Sequence, residues 1–255
     1  AGLSVVGEYI PYDGAHIIVV TNDYLKRLAG RQPNATYLAG LRVSVTKTPV
    51  GVQVAYMNPR YFSHAYRIDE DLQSIASLLE NTLGATESFG AKGLSAKKLK
   101  RYQYGFGMEY FDDELELAKY TSQAEAVAAV DSSLKSGVGG SQFVYRIDIP
   151  GVETTVFGVG MSRGMSSDAA VMQVADHNTY KQTAHLPYEL VVQRGRVLAL
   201  APRFRIAIDF PDLKMTGKHG FTKLMATPDA IRKTLTEVAG GEWIDPVWQA
   251  MDSNN

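Results

Sequence analysis

The 255-residue chain has no cysteine. That one absence excludes disulfides, thiolate metal sites, iron–sulfur clusters, a cysteine nucleophile and covalent c-type haem attachment. No apolar run approaches the roughly 18 residues of a membrane-crossing helix, so no membrane span is expected. Neither sign of charge is in excess: 26 Lys and Arg stand against 27 Asp and Glu, for a net charge of −1. Nothing global therefore directs the chain to nucleic acid, an anionic membrane or an acidic partner. The 5 histidines, at positions 16, 64, 177, 185 and 219, form no HExxH or His-x-His pair. No zinc motif is written, and no metal or cofactor is expected. The glycines of "GVGMSRGMSSD" (158–168) mimic a phosphate loop but lack its GK[ST]. The spacing of a calcium-binding loop is also missing from the acidic run "MEYFDDELE" (108–116).

What is present is ordinary for a soluble globular protein: 45% hydrophobic and 21% charged residues, enough to bury a sizeable core. The length suits one large domain or two small ones. Near-neutral charge offers little repulsion against self-association, which points to a homo-oligomer. The first residues, "AGLSVVGEY", are of the small type that flanks signal cleavage. A periplasmic or otherwise exported protein is expected on that basis, with a cytoplasmic protein trimmed of its methionine as the alternative. Asn34-Ala35-Thr36 matches a glycosylation sequon, which matters only in a eukaryotic secretory context.

Three helices carry start and stop signals. The first follows Asp69, with Leu72, Ile75, Leu79 and Leu83 on one stripe and Gly84 beyond its end. The second opens on Ser122 and Glu125 at capping-box spacing and closes at Gly137. The third begins Thr227-Pro228 and ends at Gly240. Strands are expected at 15–20, 41–45, 51–57, 143–149, 154–160, 169–174, 188–192, 196–200 and 205–210, all rich in β-branched and apolar residues. Arg194-Gly195 turns the chain between two of them, so 188–200 reads as an antiparallel hairpin. Hairpins beside helices predict an α+β fold, not a parallel doubly wound sheet.

The pattern occurs twice. "LRVSV" followed by "VQVAYMNPR" is echoed by "YELVV" followed by "RVLALAPR", and both blocks end on Pro-Arg. Two related units, each an antiparallel-rich sheet with packed helices, are expected to form one compact body: 1–84, a connector 85–120, and 121–255. Pairing two half-buried sheets would cover the apolar face of each.

"SQAEAVAAVDSSL", "VYRIDI" and "TAHLPYELVV" joined to "GRVLALAPRFRIAI" make residues 118–212 resemble domain-of-unknown-function family 302. A weaker echo covers 5–85. The features that carry the resemblance are Glu125-Ala126-Val127, Ile147-Asp148, Leu186-Pro187 and the 188–200 hairpin. The resemblance implies a small α+β domain that pairs with another copy. It implies no reaction and no site residues.

Candidate site residues follow from side-chain chemistry. His177 and His185 flank the loop that enters the hairpin, with Asp176 and Glu189 close in sequence. A carboxylate beside an imidazole can tune it for proton transfer, although loop histidines more often bond to backbone. His64 lies among Tyr61, Phe62 and Tyr66, a setting for a flat ligand or for a plain aromatic cluster. Arg60, Arg203 and Arg205 follow the two prolines. They could converge on a carboxylate or phosphate, or form structural ion pairs with Asp209, Asp212 or the other half. The basic "KKLKRYQY" (97–104) is expected to be neutralised by the acids that follow it.

Taken together, these features predict a non-enzymatic binding protein that holds a small ligand or a protein partner at the seam between its two units. One alternative is acid/base or metal-assisted catalysis through His177 and His185, with other catalytic residues unknown. Another is a structural subunit of a larger complex, pairing through open strand edges.

Overall fold

The computed structural model describes residues 2–244. The chain opens with strands β1 (Ser4–Tyr12) and β2 (Ala15–Thr21), helix α1 (Asp23–Arg31), and a 3-10 segment at Pro33–Leu38. It continues through β3 (Leu41–Thr48), β4 (Gly51–Tyr56), and helices α2 (Pro59–Ala65), α3 (Gln73–Leu83) and α4 (Ala96–Leu99). Strand β5 (Leu115–Lys119) and helix α5 (Gln123–Lys135) lead into β6 (Ser141–Asp148), β7 (Thr154–Met161) and α6 (Asp168–Ala175). After a 3-10 turn at Thr183–His185 come β8 (Tyr188–Gln193), β9 (Arg196–Ala199), α7 (Pro202–Asp209) and α8 (Thr227–Val238). The strands form two antiparallel sheets, β1-β2-β3-β4 and β5-β9-β8-β7-β6. The protein is an α+β body, and no helix among the described residues is long and apolar enough to cross a membrane.

The order strand–strand–helix–strand–strand–helix occurs twice, at β1–α2 and at β6–α7, with the same order of strands in each sheet. Pro59 and Pro202 stand at the same place in each run, in the first turn of the helix after the second hairpin. Proline suits that place because the N–H it lacks has no intrahelical partner there. The connector is less separate than expected, since β5 adds to the edge of the second sheet beside β9.

Most local signals act as expected. Arg194 (φ 51) and Gly195 (φ 79) make the tight β8–β9 turn. Ser122 Oγ accepts the Glu125 N–H at 3.2 Å, while the Glu125 carboxylate reaches back to Thr121 and not to Ser122. Gly137 takes the left-handed conformation (φ 69) just after α5. Helix α3 starts later than Asp69 predicts, because Leu72 sits in left-handed conformation (φ 53) and Asp71 caps the Gln73 N–H.

Two expected strands are helices. Residues 169–174 lie in α6 and 205–210 largely in α7. In α7 every residue from Phe204 to Asp209 is buried, so no polar stripe records a helical period. A fully buried helix and a buried strand look alike in sequence.

Sheet packing depends on small residues under aromatic ones. Strand β1 lies against β6, with Gly7 so close that a Cβ there would stand 2.3 Å from the Val144 carbonyl oxygen. Tyr145 covers Gly158, its cross-strand partner. Tyr9, from the first sheet, covers Gly160 of the second, and a Cβ on Gly160 would lie 2.5 Å from Tyr9 Cζ. Gly160→Ala is therefore expected to lower stability by about 1–3 kcal/mol. Gly105→Ala, which meets nothing within 4 Å, is expected to stay within about 0.5 kcal/mol of the native chain. Urea unfolding midpoints of the two variants check the difference.

Candidate functional site

The buried face of the first sheet is unusually polar. Alternation along β2 and β3 places Ala15, Ile17 and Val19 beside Thr46, Ser44 and Arg42, and all six are buried. These groups bond across the seam. Thr46 Oγ1 donates to Thr183 Oγ1 at 2.8 Å, and Gln53 exchanges two hydrogen bonds with the Lys181 backbone. Arg42, 0% exposed, donates from Nε to the Ala184 carbonyl at 2.7 Å and pairs with Glu189 on β8.

Glu189 is shared with Arg205 (3.4 Å), which pairs in turn with Asp209 one turn along α7. Asp209 Oδ2 accepts from His185 Nδ1 at 2.8 Å, and His185 Nε2 meets the Tyr188 hydroxyl at 3.0 Å. Burial first, then the Arg205 and Arg42 guanidiniums, push the His185 imidazole well below its usual range, so it is neutral. A neutral imidazole can satisfy the carboxylate only by carrying its proton on Nδ1, which leaves Nε2 to accept from Tyr188. Two guanidiniums then face two carboxylates, and the enclosed charge sums to zero. Removing one member strands its partner in a dry interior. Arg42→Met is expected to destabilise the fold by about 3–5 kcal/mol, and Arg42→Met combined with Glu189→Gln by less than the two single changes together. Urea denaturation of the three variants measures that coupling.

Asp168, at the start of α6, joins the same seam. Its Oδ2 accepts from the Tyr9 hydroxyl at 2.7 Å and from the Met161 N–H at 2.8 Å, while Oδ1 is buried without a partner. Burial outweighs both bonds and raises this carboxyl to about 7, from 3.8. A carboxyl whose folded pKa lies above its unfolded one contributes stability in full below about pH 4. That contribution is lost as pH rises through 7, at up to about 1.4 kcal/mol per pH unit. Asp168→Asn is expected to flatten the stability profile between pH 4 and 7, read as the difference in unfolding free energy between variant and native chain.

Beyond this closed cluster, the second sheet borders a pocket of about 190 Å³ that opens to solvent. Tyr37, Phe111, Val191, Leu198 and Leu200 form its buried walls. Asn34, Asp112 and Glu114 stand at the rim with half-buried Arg67. It draws on all three stretches of chain: the 3-10 segment at Pro33–Leu38, the connector, and strands β8 and β9. Thr36, only 1% exposed, is among its lining residues, but its hydroxyl, without a hydrogen-bond partner among the described residues, is shut off from the open pocket. Tyr37 donates its hydroxyl to Glu114, whose carboxyl is raised by burial and held down in part by that bond and by Arg196.

Comparison with protein-family models, with curated proteins and with solved structures gives no match. The site is therefore read from its own geometry.

Of the residues singled out in the sequence, His185, Glu189, Arg205 and Asp209 come together in the closed cluster, where Arg205 forms the structural ion pair with Asp209. Arg60 lies at the surface near Asp71 (3.8 Å), and Arg203 pairs with Glu109 at 2.8 Å. Each of the two arginines after proline is thus held by its own carboxylate. His64 sits half-buried on α2. His177 is exposed and stacks on His219 at 4.4 Å, away from the partners of His185. Of the residues that line the pocket, the sequence marks Asn34 and Thr36 only as a sequon, and Asp112 and Glu114 only as members of an acidic run. The stretch Gly160-Met161-Ser162-Arg163-Gly164 does spell G-x-S-x-G between a strand and a helix. Ser162 lacks the positive φ of a strained turn, and its hydroxyl donates to the Gly140 carbonyl at 2.9 Å.

Proposed function

We propose that the protein binds a small organic ligand in the pocket that the second sheet forms with the 3-10 segment Pro33–Leu38 and the connector, and performs no chemistry on it. A pocket walled by Tyr37, Phe111, Val191, Leu198 and Leu200, with Asn34, Arg67, Asp112 and Glu114 at its rim, carries this reading. Apolar walls with a few convergent polar groups are the general form of a small-molecule site. A volume of about 190 Å³ slightly exceeds the roughly 150 Å³ of a cavity that accepts benzene, which limits the ligand to a few heavy atoms more. The His185–Asp209–Tyr188 chain has the connectivity of a proton relay. All three members are buried, though, and a substrate would need to part the seam to reach them. The recurring strand order and the resemblance of 118–212 to domain-of-unknown-function family 302 support reading the body as two related units with the ligand between them.

Leu198→Phe places bulk in the wall of the pocket without changing its polarity. In a ligand-observed NMR screen of fragments of about six to ten heavy atoms, the native protein is expected to give hits that this variant loses. Its urea midpoint reports that the fold persists. Hits that bind the two proteins equally, or no hits at all, would overturn the reading.

A further inference from the structure

We infer that the same pocket takes a small protonated amine with a short apolar body. This rests on the ligand-binding reading above and names the class of ligand. The argument starts from the acidic run at 108–116. The sequence suggests that these acids neutralise the basic run just before them, but they are used elsewhere. Glu109 pairs with Arg203, Asp112 with Arg67, and Glu116 with Arg196. Glu114 has no cation within salt-bridge distance among the described residues, and the Tyr37 hydroxyl is its one hydrogen-bond partner there.

The charged residues that line the pocket are Arg67, Asp112 and Glu114. Arg67 is already engaged: Nη2 donates to Asp112 at 2.7 Å and Nε to the Lys100 carbonyl at 3.0 Å. That pair cancels, and the pocket is left with the single negative charge of Glu114. An ammonium group brings three donors and one positive charge. It supplies an opposite charge to the Glu114 carboxylate at the exposed rim. Phe111, Val191, Leu198 and Leu200 offer an apolar wall for a short carbon chain. An anion would meet Glu114 uncompensated, and a neutral alcohol would leave the charge unmet.

Burial holds the Glu114 proton more tightly than in water. A bound cation favours the ionised form, so amine binding strengthens as pH rises through the Glu114 titration. Isothermal titration calorimetry at pH 7 with n-butylammonium chloride, 1-butanol and sodium butyrate tests the inference on the native protein. Butylammonium is expected to bind at least tenfold more tightly than butanol, and butyrate not detectably. Glu114→Gln is expected to weaken butylammonium by about tenfold or more and to leave butanol unchanged, as loss of a charge-assisted contact implies. Butanol or butyrate binding as well as the amine, or an amine affinity untouched by Glu114→Gln, would overturn the amine class and leave the pocket as a ligand site. The same holds if none of the three binds while neutral fragments do. If nothing enters the pocket, both readings fall.

Discussion

Two arginines buried between two sheets set the terms for this fold. Arg42 projects from the first sheet and Arg205 from α7 of the second half, and both address Glu189. Moving a guanidinium out of water costs several kcal/mol unless an opposite charge and further acceptors receive it. Here the acceptors are supplied in number. Arg42 finds the Ala184 carbonyl and Arg205 the His185 carbonyl at 2.6 Å, besides their carboxylates. Burial works against the charge on Arg42, and the Glu189 carboxylate together with Tyr66 and Tyr145 more than offsets it. The cluster is tolerable because two guanidiniums meet two carboxylates, although Arg42 Nη2 is left without a hydrogen-bond partner among the described residues. That matching requires the two sheets to hold one register against each other. A hydrophobic seam could slide; a set of paired charges cannot.

That register explains why the closed cluster and the open pocket lie so near each other. Strand β8 serves both: Glu189 faces the arginines, and Val191 and Gln193, further along, face the pocket. The 3-10 segment after α1 brings Thr36 and Tyr37 over the strand, and Phe111 closes the side by stacking on Tyr66 at 5.0 Å. Val191, Gln193 and Leu198 are thus mounted on paired strands, while the 3-10 segment and the connector close the pocket from outside the sheet.

The parts legible in the sequence were those governed by neighbours along the chain. The Arg194-Gly195 turn, the Ser122 cap and Gly137 need only a few residues of context. Helices α6 and α7 were hidden because burial on every side removes the polar stripe that reveals a helix. Arg42 was hidden for another reason: one charge within "LRVSV" reads as a strand's solvent side, and nothing nearby in the chain announces a partner 147 positions away. Glu114 was masked by its acidic neighbours, and its lack of a cation becomes visible only after Glu109, Asp112 and Glu116 have been assigned their arginines. The α+β class survives these errors because it depends on the count of hairpins and helices, whereas a site depends on which long-range pair meets.

The separation of Arg42 from Glu189 also bears on how the chain is made. The first sheet is synthesised in full well before residue 189 exists, and for that interval its inner face offers a guanidinium, two hydroxyls and a glutamine to water instead of to a partner. Contacts so distant along the chain are slow to form, because a long loop must close before they repay it. The first half thus leaves the ribosome with one side unfinished, and it settles only when the second half arrives to be its interior.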